Sequence, residues 1–152
     1  MTDTDVIFAE VLDCYIEIRY ESELSSIRFL ESKSKLNEKK TLKATFELEE
    51  YFEGIRTDFS RFDMPGLSAF EKKVLDETSK IKYGKTIAYS ELADKIGSRA
   101  VRAVGGSLSR NPIPIIIPCH RVVAKKGIGG YSAGVDIKKR LLGFEKNLAN
   151  NL

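Results

Sequence analysis

The chain has 152 residues, 42% of them hydrophobic and 31% charged, with a formal net charge of +3 and a sequence pI near 8.8. That length suits one ordinary domain or two small ones sharing a core, and the composition is globular rather than disordered. No apolar run approaches the ~20 residues that span a bilayer, and the acidic opening MTDTDVIFAE lacks a basic-then-apolar secretory pattern, so a cytosolic protein without membrane contact is expected.

The charge is unevenly placed. Acidic runs such as Glu47, Glu49 and Glu50 lie in the first half, whereas Lys and Arg predominate from Lys72 onward. A mildly basic chain permits nucleic-acid binding without demanding it. With two cysteines and one histidine, a structural zinc site would need a carboxylate ligand, an unusual set; no metal and no cofactor is expected. A Cys14–Cys119 disulfide is disfavoured in a reducing cytosol.

In chain order, VIFAEVLDCYIEIRYESE predicts two strands. The second begins at Asp13 and Cys14 and closes over Glu21 to Glu23, with Ile16, Ile18 and Tyr20 alternating with Glu17 and Arg19. Cys14 reads as a buried free thiol. SSIRFLES predicts a third strand, and residues 33–40 an exposed connection. TLKATFELEEYFEG predicts a helix with Leu42, Phe46, Leu48 and Phe52 on its apolar face and Gly54 at its end. Residues 1–63 therefore form a small supporting domain, an antiparallel sheet with a helix on it. Met64-Pro65-Gly66 marks the boundary, and residues 64–152 form a second, mostly α domain.

SAFEKKVLDETSKI predicts a helix with the capping box Ser68 and Glu71; Phe70, Val74, Leu75 and Ile81 form its buried stripe. Ser90 caps a short helix through Lys95, with Leu92, Ala93 and Ile96 inward. Gly97 turns the chain, and Ser98 caps a second helix that runs to about Ser109 and ends at Asn111-Pro112. Two such helices fit a helix-turn-helix, or a plain helical hairpin about equally well. Gly105 and Gly106 favour the first reading. Each costs about 1 kcal/mol relative to Ala within a helix, a cost justified where a helix must lie flat on another backbone, such as that of a nucleic acid. Packing within the same protein is the alternative.

Pro114 to Pro118 is short, apolar and β-branched, and reads as a buried extended segment leading to Cys119. His120 and Arg121 make a polar, positive surrounding that is expected to lower the thiol pKa and favour the thiolate nucleophile. A sequence-adjacent histidine is badly placed to take the thiol proton directly, so a bridging water is expected. Its far nitrogen then needs an orienting carboxylate: Glu145, on a helix predicted over VDIKKRLLGFEKNLAN, or Asp136, the expected N-cap of that helix.

NPIPIIIPCHRVV resembles the active-site signature of the O6-alkylguanine-DNA alkyltransferases, the methylated-DNA–protein-cysteine methyltransferases. The similarity runs through YGKTIAYSELADKIG, RAVGGSLSRNP and GIGGYSAGVDIKKRLLGFE, residues 83–145; in the first half only LEEYFEG is familial. The resemblance implies an α+β fold in which a ribonuclease-H-like N-terminal domain precedes a winged helix-turn-helix. It implies direct-reversal DNA repair by a monomer on double-stranded DNA containing alkylated guanine, and on O4-alkylthymine. Cys119 takes the alkyl group irreversibly after the base is flipped out. His120 activates Cys119 through a water, Glu145 orients His120, and Asn111 is the hinge. Tyr89, Ser90, Arg99, Arg102, Ala103 and Gly105 contact DNA, with Arg102 as the finger that fills the vacated stack. Leu108, Pro114, Val122, Tyr131 and Ser132, with Tyr89, form the alkylguanine pocket. Three departures stand out: Lys82 replaces a usual Pro, Ala133 replaces a common Gly, and ligands for the N-terminal zinc of some relatives are missing. A non-catalytic lesion-binding module and an alkylation-sensing regulator are the competing readings; the first lacks the acceptor cysteine in such relatives, and nothing here resembles an effector domain.

Overall fold

Three strands open the chain in the computed structural model, which describes residues 2–64 and 66–150. They are β1 (Thr2–Ala9), β2 (Cys14–Glu21) and β3 (Glu23–Glu31), antiparallel in the order β1-β2-β3. Ile7 stands opposite Ile16, and Ile18 opposite Ile27, so the inward residues of all three strands share one face. Tyr20 departs from the expected alternation because the ladder shifts between Arg19 and Tyr20.

The helix α1 (Lys43–Phe52) has no capping side chain of its own. Asp5, fully buried on β1, supplies the cap. Its carboxylate accepts from the Thr41 N–H at 2.6 Å, the Thr41 hydroxyl at 2.7 Å, the Leu42 N–H at 2.7 Å and the Thr45 hydroxyl. Burial pushes this carboxyl up, but the hydrogen bonds from Thr45, Thr41 and Leu42 outweigh it and hold it below 3.8.

The apolar face expected for α1 is corrected by the structure. Ala44, Thr45, Glu47, Leu48 and Tyr51 are buried, whereas Phe46 is 51% exposed and Leu42 and Phe52 are half-buried. Tertiary partners explain the rotation. Thr45 is bonded to Asp5, and Glu47 accepts from the Ser60 N–H at 2.8 Å and the Ser60 hydroxyl at 2.6 Å, so two polar side chains go inside at little cost. Gly54 follows the helix at φ +78°, as its position suggested.

The chain divides into two compact units, Met1–Pro65 and Gly66–Leu152; Pro65, part of the expected boundary, lies outside the described residues. The second unit begins with α2 (Ala69–Thr78), closed by the reciprocal Ser68–Glu71 capping box at 3.1 Å in both directions. Val74, Leu75 and Thr78 are buried on it; Phe70 is half-buried, and the buried Ile81 lies beyond its end. A short strand β4 (Ile87–Ala88) leads directly into α3 (Tyr89–Lys95).

Helix α3 starts one residue before Ser90, so Ser90 is not its cap; the Glu91 carboxylate instead accepts the Ala88 N–H at 3.3 Å. Leu92, Ala93 and Ile96 face inward, and Gly97 turns the chain at φ +70°. Helix α4 (Val101–Ser109) begins later than expected, because the Ser98 hydroxyl accepts from the Ala100 N–H at 3.0 Å and holds Arg99 in the turn. After the segment 110–121, β5 (Val122–Val123) pairs in parallel with β4, and α5 (Val135–Ala149) closes the unit. Asp136 is not the N-cap of α5, which is Gly134; it is exposed and pairs with Arg140 at 2.9 Å. Val74, Leu75, Leu92, Val104, Ile115, Val122 and Leu141 are wholly enclosed in this unit. Among the described residues no helix is long and apolar enough to cross a membrane.

Candidate active site

The segment between α4 and β5 is stitched by Asn111. Its Oδ1 accepts from the Ile113 N–H at 3.0 Å and its Nδ2 donates to the Ile117 carbonyl at 2.9 Å. One amide thus holds both ends of the Ile-rich run. The run is buried as expected, but it is not extended: Ile117 N–H returns to the Ile113 carbonyl at 3.0 Å, and the chain turns through Ile115 at φ +74°. A β-branched residue rarely adopts this conformation, which costs on the order of 1–3 kcal/mol. Asn111 and the flanking prolines hold it there.

Cys119, His120 and Arg121 form one turn of 3-10 helix and are 7%, 0% and 5% exposed. Three residues per turn send consecutive side chains in three directions, so the adjacent Cys119 and His120 do not face each other. The Cys119 sulfur lies 3.9 Å from the Tyr131 hydroxyl. The His120 Nε2 lies 2.7 Å from the Glu145 Oε2. Arg121 turns to Glu145 as well, donating through Nε at 2.8 Å and Nη2 at 3.0 Å, and to the Ile81 carbonyl at 2.8 Å. Its guanidinium stands 5.6 Å from the centre of the Tyr83 ring.

These contacts set the protonation states. Burial pushes the Glu145 carboxyl up, but His120 and Arg121 outweigh it and hold it well below 4.5. An ionised carboxylate only accepts, so the His120 Nε2 carries the proton and Nδ1 keeps its lone pair. That Nδ1 is buried and has no hydrogen-bond partner among the described residues. Burial pushes the imidazole below 6.5, against the pull of Glu145, and keeps it neutral near pH 7. Asp136, paired with Arg140 in solvent, is not the orienting carboxylate.

The thiol environment differs from the expectation. The Arg121 charge is spent on Glu145, and burial pushes the Cys119 thiol above 9.0. Asn111, Tyr131, the Cys119 backbone N–H and Lys138 all pull it down without overcoming burial.

Lys138 was not anticipated. It is fully buried on α5, donating to the Val122 carbonyl at 2.7 Å and the Gly130 carbonyl at 3.0 Å, with its Nζ 5.6 Å from the centre of the Tyr89 ring. The Tyr89 hydroxyl donates to the same Gly130 carbonyl at 3.3 Å. Gly129, at φ +77°, leaves room for that tyrosine; a Cβ there would stand 3.0 Å from the ring. Lys138 thus gathers Tyr89, Val122 and the loop before Tyr131. Of the other expected pocket residues, Leu108 and Pro114 are buried, Tyr131 is half-buried beside the thiol, and Ser132 is exposed in the turn closed by the Gly134 N–H on the Tyr131 carbonyl.

The residues expected at DNA form a separate set. Arg99, Arg102 and Ala103 are exposed, and Ser90 and Gly105 are half-buried. A Cβ added at Gly105 would meet nothing within 4 Å, so internal packing does not explain that glycine. Gly106 is different: a Cβ there would stand 3.3 Å from Arg110, which crosses it to reach Glu71 at 2.9 Å.

Residues 69–147 match the family model described as the 6-O-methylguanine DNA methyltransferase, DNA binding domain. The chain belongs to the 6-O-methylguanine DNA methyltransferase family. The methylated-DNA–protein-cysteine methyltransferase of Metallosphaera sedula is 46% identical over 105 residues, 67% of this chain and 65% of that relative. That of Methanocaldococcus vulcanius is 55% identical over 80 residues, 53% of this chain and 49% of the relative. The aligned stretches therefore span about half to two thirds of these relatives' own length. The Mycobacterium tuberculosis O6-methylguanine methyltransferase superposes with a TM-score of 0.81 at 34% identity, over 97% of this chain and 94% of that one; Mycobacterium tuberculosis OGT, solved in complex with DNA, superposes with a TM-score of 0.79 at 34% identity, over 94% of this chain and 92% of that one.

The methyltransferase match spans every candidate residue from Tyr89 to Glu145 and also Arg121 and Lys138, whose parts were not foreseen. Arg121 was read as a charge near the thiol rather than as a partner of Glu145. Lys138 carried a usable signal: with Leu141 and Glu145 it falls on one helical face, at i, i+3 and i+7, and a lysine on a buried stripe needs partners.

Proposed function

We propose that this chain repairs O6-alkylguanine, and O4-alkylthymine, in double-stranded DNA by moving the alkyl group irreversibly to its own Cys119. The observation that carries this is the buried Glu145–His120 pair beside Cys119, with the imidazole proton on Nε2 and a free lone pair on Nδ1. The Cys119 thiol gives its proton to His120 Nδ1 through a water, and the sulfur attacks the alkyl carbon. A carbon–sulfur bond forms as the carbon–oxygen bond breaks; the electron pair stays on the base, which regains one proton and leaves as ordinary guanine. Nothing in this sequence of steps cleaves the thioether, so each molecule acts once.

Asn111 fixes the loop that presents the thiol, and Glu145 holds the imidazole. The lesion is unreachable within the stack, so it is flipped into a pocket of Leu108, Pro114, Val122, Tyr131, Ser132 and Tyr89. Tyr89 and Ser132 hydrogen-bond the base. Helix α4 lies in the minor groove, where Ala103 and the open face at Gly105 allow close approach and Arg102 fills the vacated stack; Ser90 and Arg99 steady the backbone. The DNA complex of the mycobacterial relative supports this reading. We read α3, Gly97 and α4 as a helix-turn-helix with residues 122–133 as its wing, and the sheet with α1 as a reduced ribonuclease-H-like unit. The protein acts as a cytoplasmic monomer.

Incubation with a duplex containing O6-methylguanine, followed by intact mass and peptide mapping, is expected to give one added methyl group on Cys119. Binding with no change of mass would favour a lesion-recognition module instead. Repair by the Cys119→Ser protein would sink the mechanism.

A further inference from the structure

Arg102, Gly106 and Ser109 lie on one face of α4, at i, i+4 and i+7, opposite the buried Val104, Ser107 and Leu108. The glycine is covered by the side chain of Arg110, the C-cap of the helix. A Cβ added at Gly106 would stand 3.3 Å from the Arg110 Nη1 and 3.8 Å from Nη2. The guanidinium therefore rests over bare backbone on the same face as Arg102. A second helix holds it there. The Arg110 Nε donates to the Glu71 Oε2 at 2.9 Å, and the Glu71 Oε1 accepts the Ser68 N–H at 3.1 Å as half of the capping box of α2. The cap fixes the carboxylate, and the carboxylate fixes the guanidinium. A guanidinium has five N–H donors. Only the one on Nε is spent; those on Nη1 and Nη2 have no partner among the described residues, and the side chain is 62% exposed. Arginine and carboxylate commonly pair through two parallel bonds. Here the pair is single, and an ion pair this exposed adds little to stability. Its effect is to aim the two amino groups outward as a planar fork, the shape that two phosphate oxygens fill. Residues 98–110 contain three arginines and no Asp or Glu, so an anion is favoured there. Glu71 offsets part of that attraction, but it removes the entropy cost of orienting a long side chain.

We propose that Arg110 takes a backbone phosphate of duplex DNA through Nη1 and Nη2, and that Glu71 is the positioning residue that aims it. This rests on α4 being the helix that lies on DNA. Arg110 follows Arg102 by eight residues, about 12 Å along the helix axis. The phosphate therefore lies away from the flipped nucleotide, and the contact sets the register of the helix on the duplex. Gly106 and Gly105 then serve different ends: Gly105 leaves the helix surface open, and Gly106 seats the guanidinium.

The test measures binding of the full chain to an undamaged duplex against salt, with circular dichroism melts to check that each variant is folded. Arg110→Ala is expected to lower the log–log salt slope by about 0.9, one phosphate, and to bind roughly tenfold more weakly. A slope equal to that of wild type overturns the phosphate contact. Arg110→Lys keeps the charge without the fork, so it is expected to restore the slope but only part of the affinity; full recovery overturns the fork. Glu71→Gln keeps the capping box and removes both the buttress and a repulsive charge, which a double-mutant cycle separates. Relative to its effect in the Arg110→Ala background, Glu71→Gln is expected to be about threefold more damaging when Arg110 is present. An equal effect in both backgrounds, or a more favourable one beside Arg110, overturns the aiming role. Arg102→Ala on the same duplex tests the α4 face by itself. Unchanged affinity at both Arg102 and Arg110 sinks the face and this contact together, whereas a loss at Arg102 with none at Arg110 sinks this contact alone.

Discussion

The base role proposed for His120 requires a neutral ring with a free lone pair. Burial holds its pKa below 6.5, and burial also holds the Cys119 thiol above 9.0. Neutral imidazole and intact thiol are therefore the predominant forms between those values. The rate of attack on free O6-benzylguanine is expected to be flat from pH 6.5 to 9.0. A rate climbing tenfold per pH unit would mean that a preformed thiolate reacts without the histidine. Glu145 serves two neighbours at once, so Glu145→Gln removes the charge that both His120 and Arg121 require. Its loss is expected to cost about 3–5 kcal/mol of unfolding free energy and at least ~100-fold in alkyl transfer. The sign follows from its depressed pKa. Stability from Glu145 is complete above its ordinary 4.5 and is lost as pH falls through the lower folded value. Urea unfolding between pH 6 and pH 3 should show a shallower acid slope in the Gln variant than in wild type.

At the scale of the element, α4 sets local helix strength against an open surface. Gly105→Ala adds a methyl that meets nothing, so the helix is expected to gain about 1 kcal/mol. If this face lies on DNA, the same methyl weakens duplex binding while leaving attack on the free base unchanged; gains in both stability and affinity would exclude the proposed docking face. The elements themselves were largely legible. Period-two alternation gave β2, and the Ser68–Glu71 spacing gave the start of α2. The face of α1 was not legible, because the partners that let Thr45 and Glu47 turn inward are Asp5 and Ser60, distant in sequence. The starts of α3 and α4 slipped for a local reason: a serine near a helix can close the preceding turn, as Ser98 does, as readily as cap the helix. The Ile-rich run was misread as extended since its turn is imposed by Asn111, an effect that no propensity at Ile115 reveals.

For the molecule as a whole, charge is sorted between the units. Residues 66–152 hold 16 Lys and Arg against 7 Asp and Glu, and residues 1–65 hold 9 against 15. Phosphate contact is therefore expected of the second unit, and duplex affinity is expected to fall steeply with salt, by about 0.9 in log–log slope per phosphate neutralised. Arg99→Ala should reduce that slope by about one; an unchanged slope would remove Arg99 from the backbone contacts. Within the candidate site the pairing of His120 with Glu145 was readable, because the single histidine calls for a carboxylate and Glu145 stands on a predicted helix, whereas the turn at Ile115 and the partnership of Arg121 with Glu145 were not. At Lys138 the buried stripe of α5 gave a signal, but the partners were not readable, being main-chain carbonyls that converge only once Val122 and Gly130 are brought together. The chain contains a single histidine, and folding encloses it completely, next in sequence to Cys119. The protein therefore carries its own spectroscopic reporter: one imidazole ring per molecule, whose Cε1–H line is free of overlap from any other histidine. Alkylation of Cys119, as proposed, is expected to shift that line, so an unlabelled sample in an NMR tube would count its spent molecules as repair proceeds.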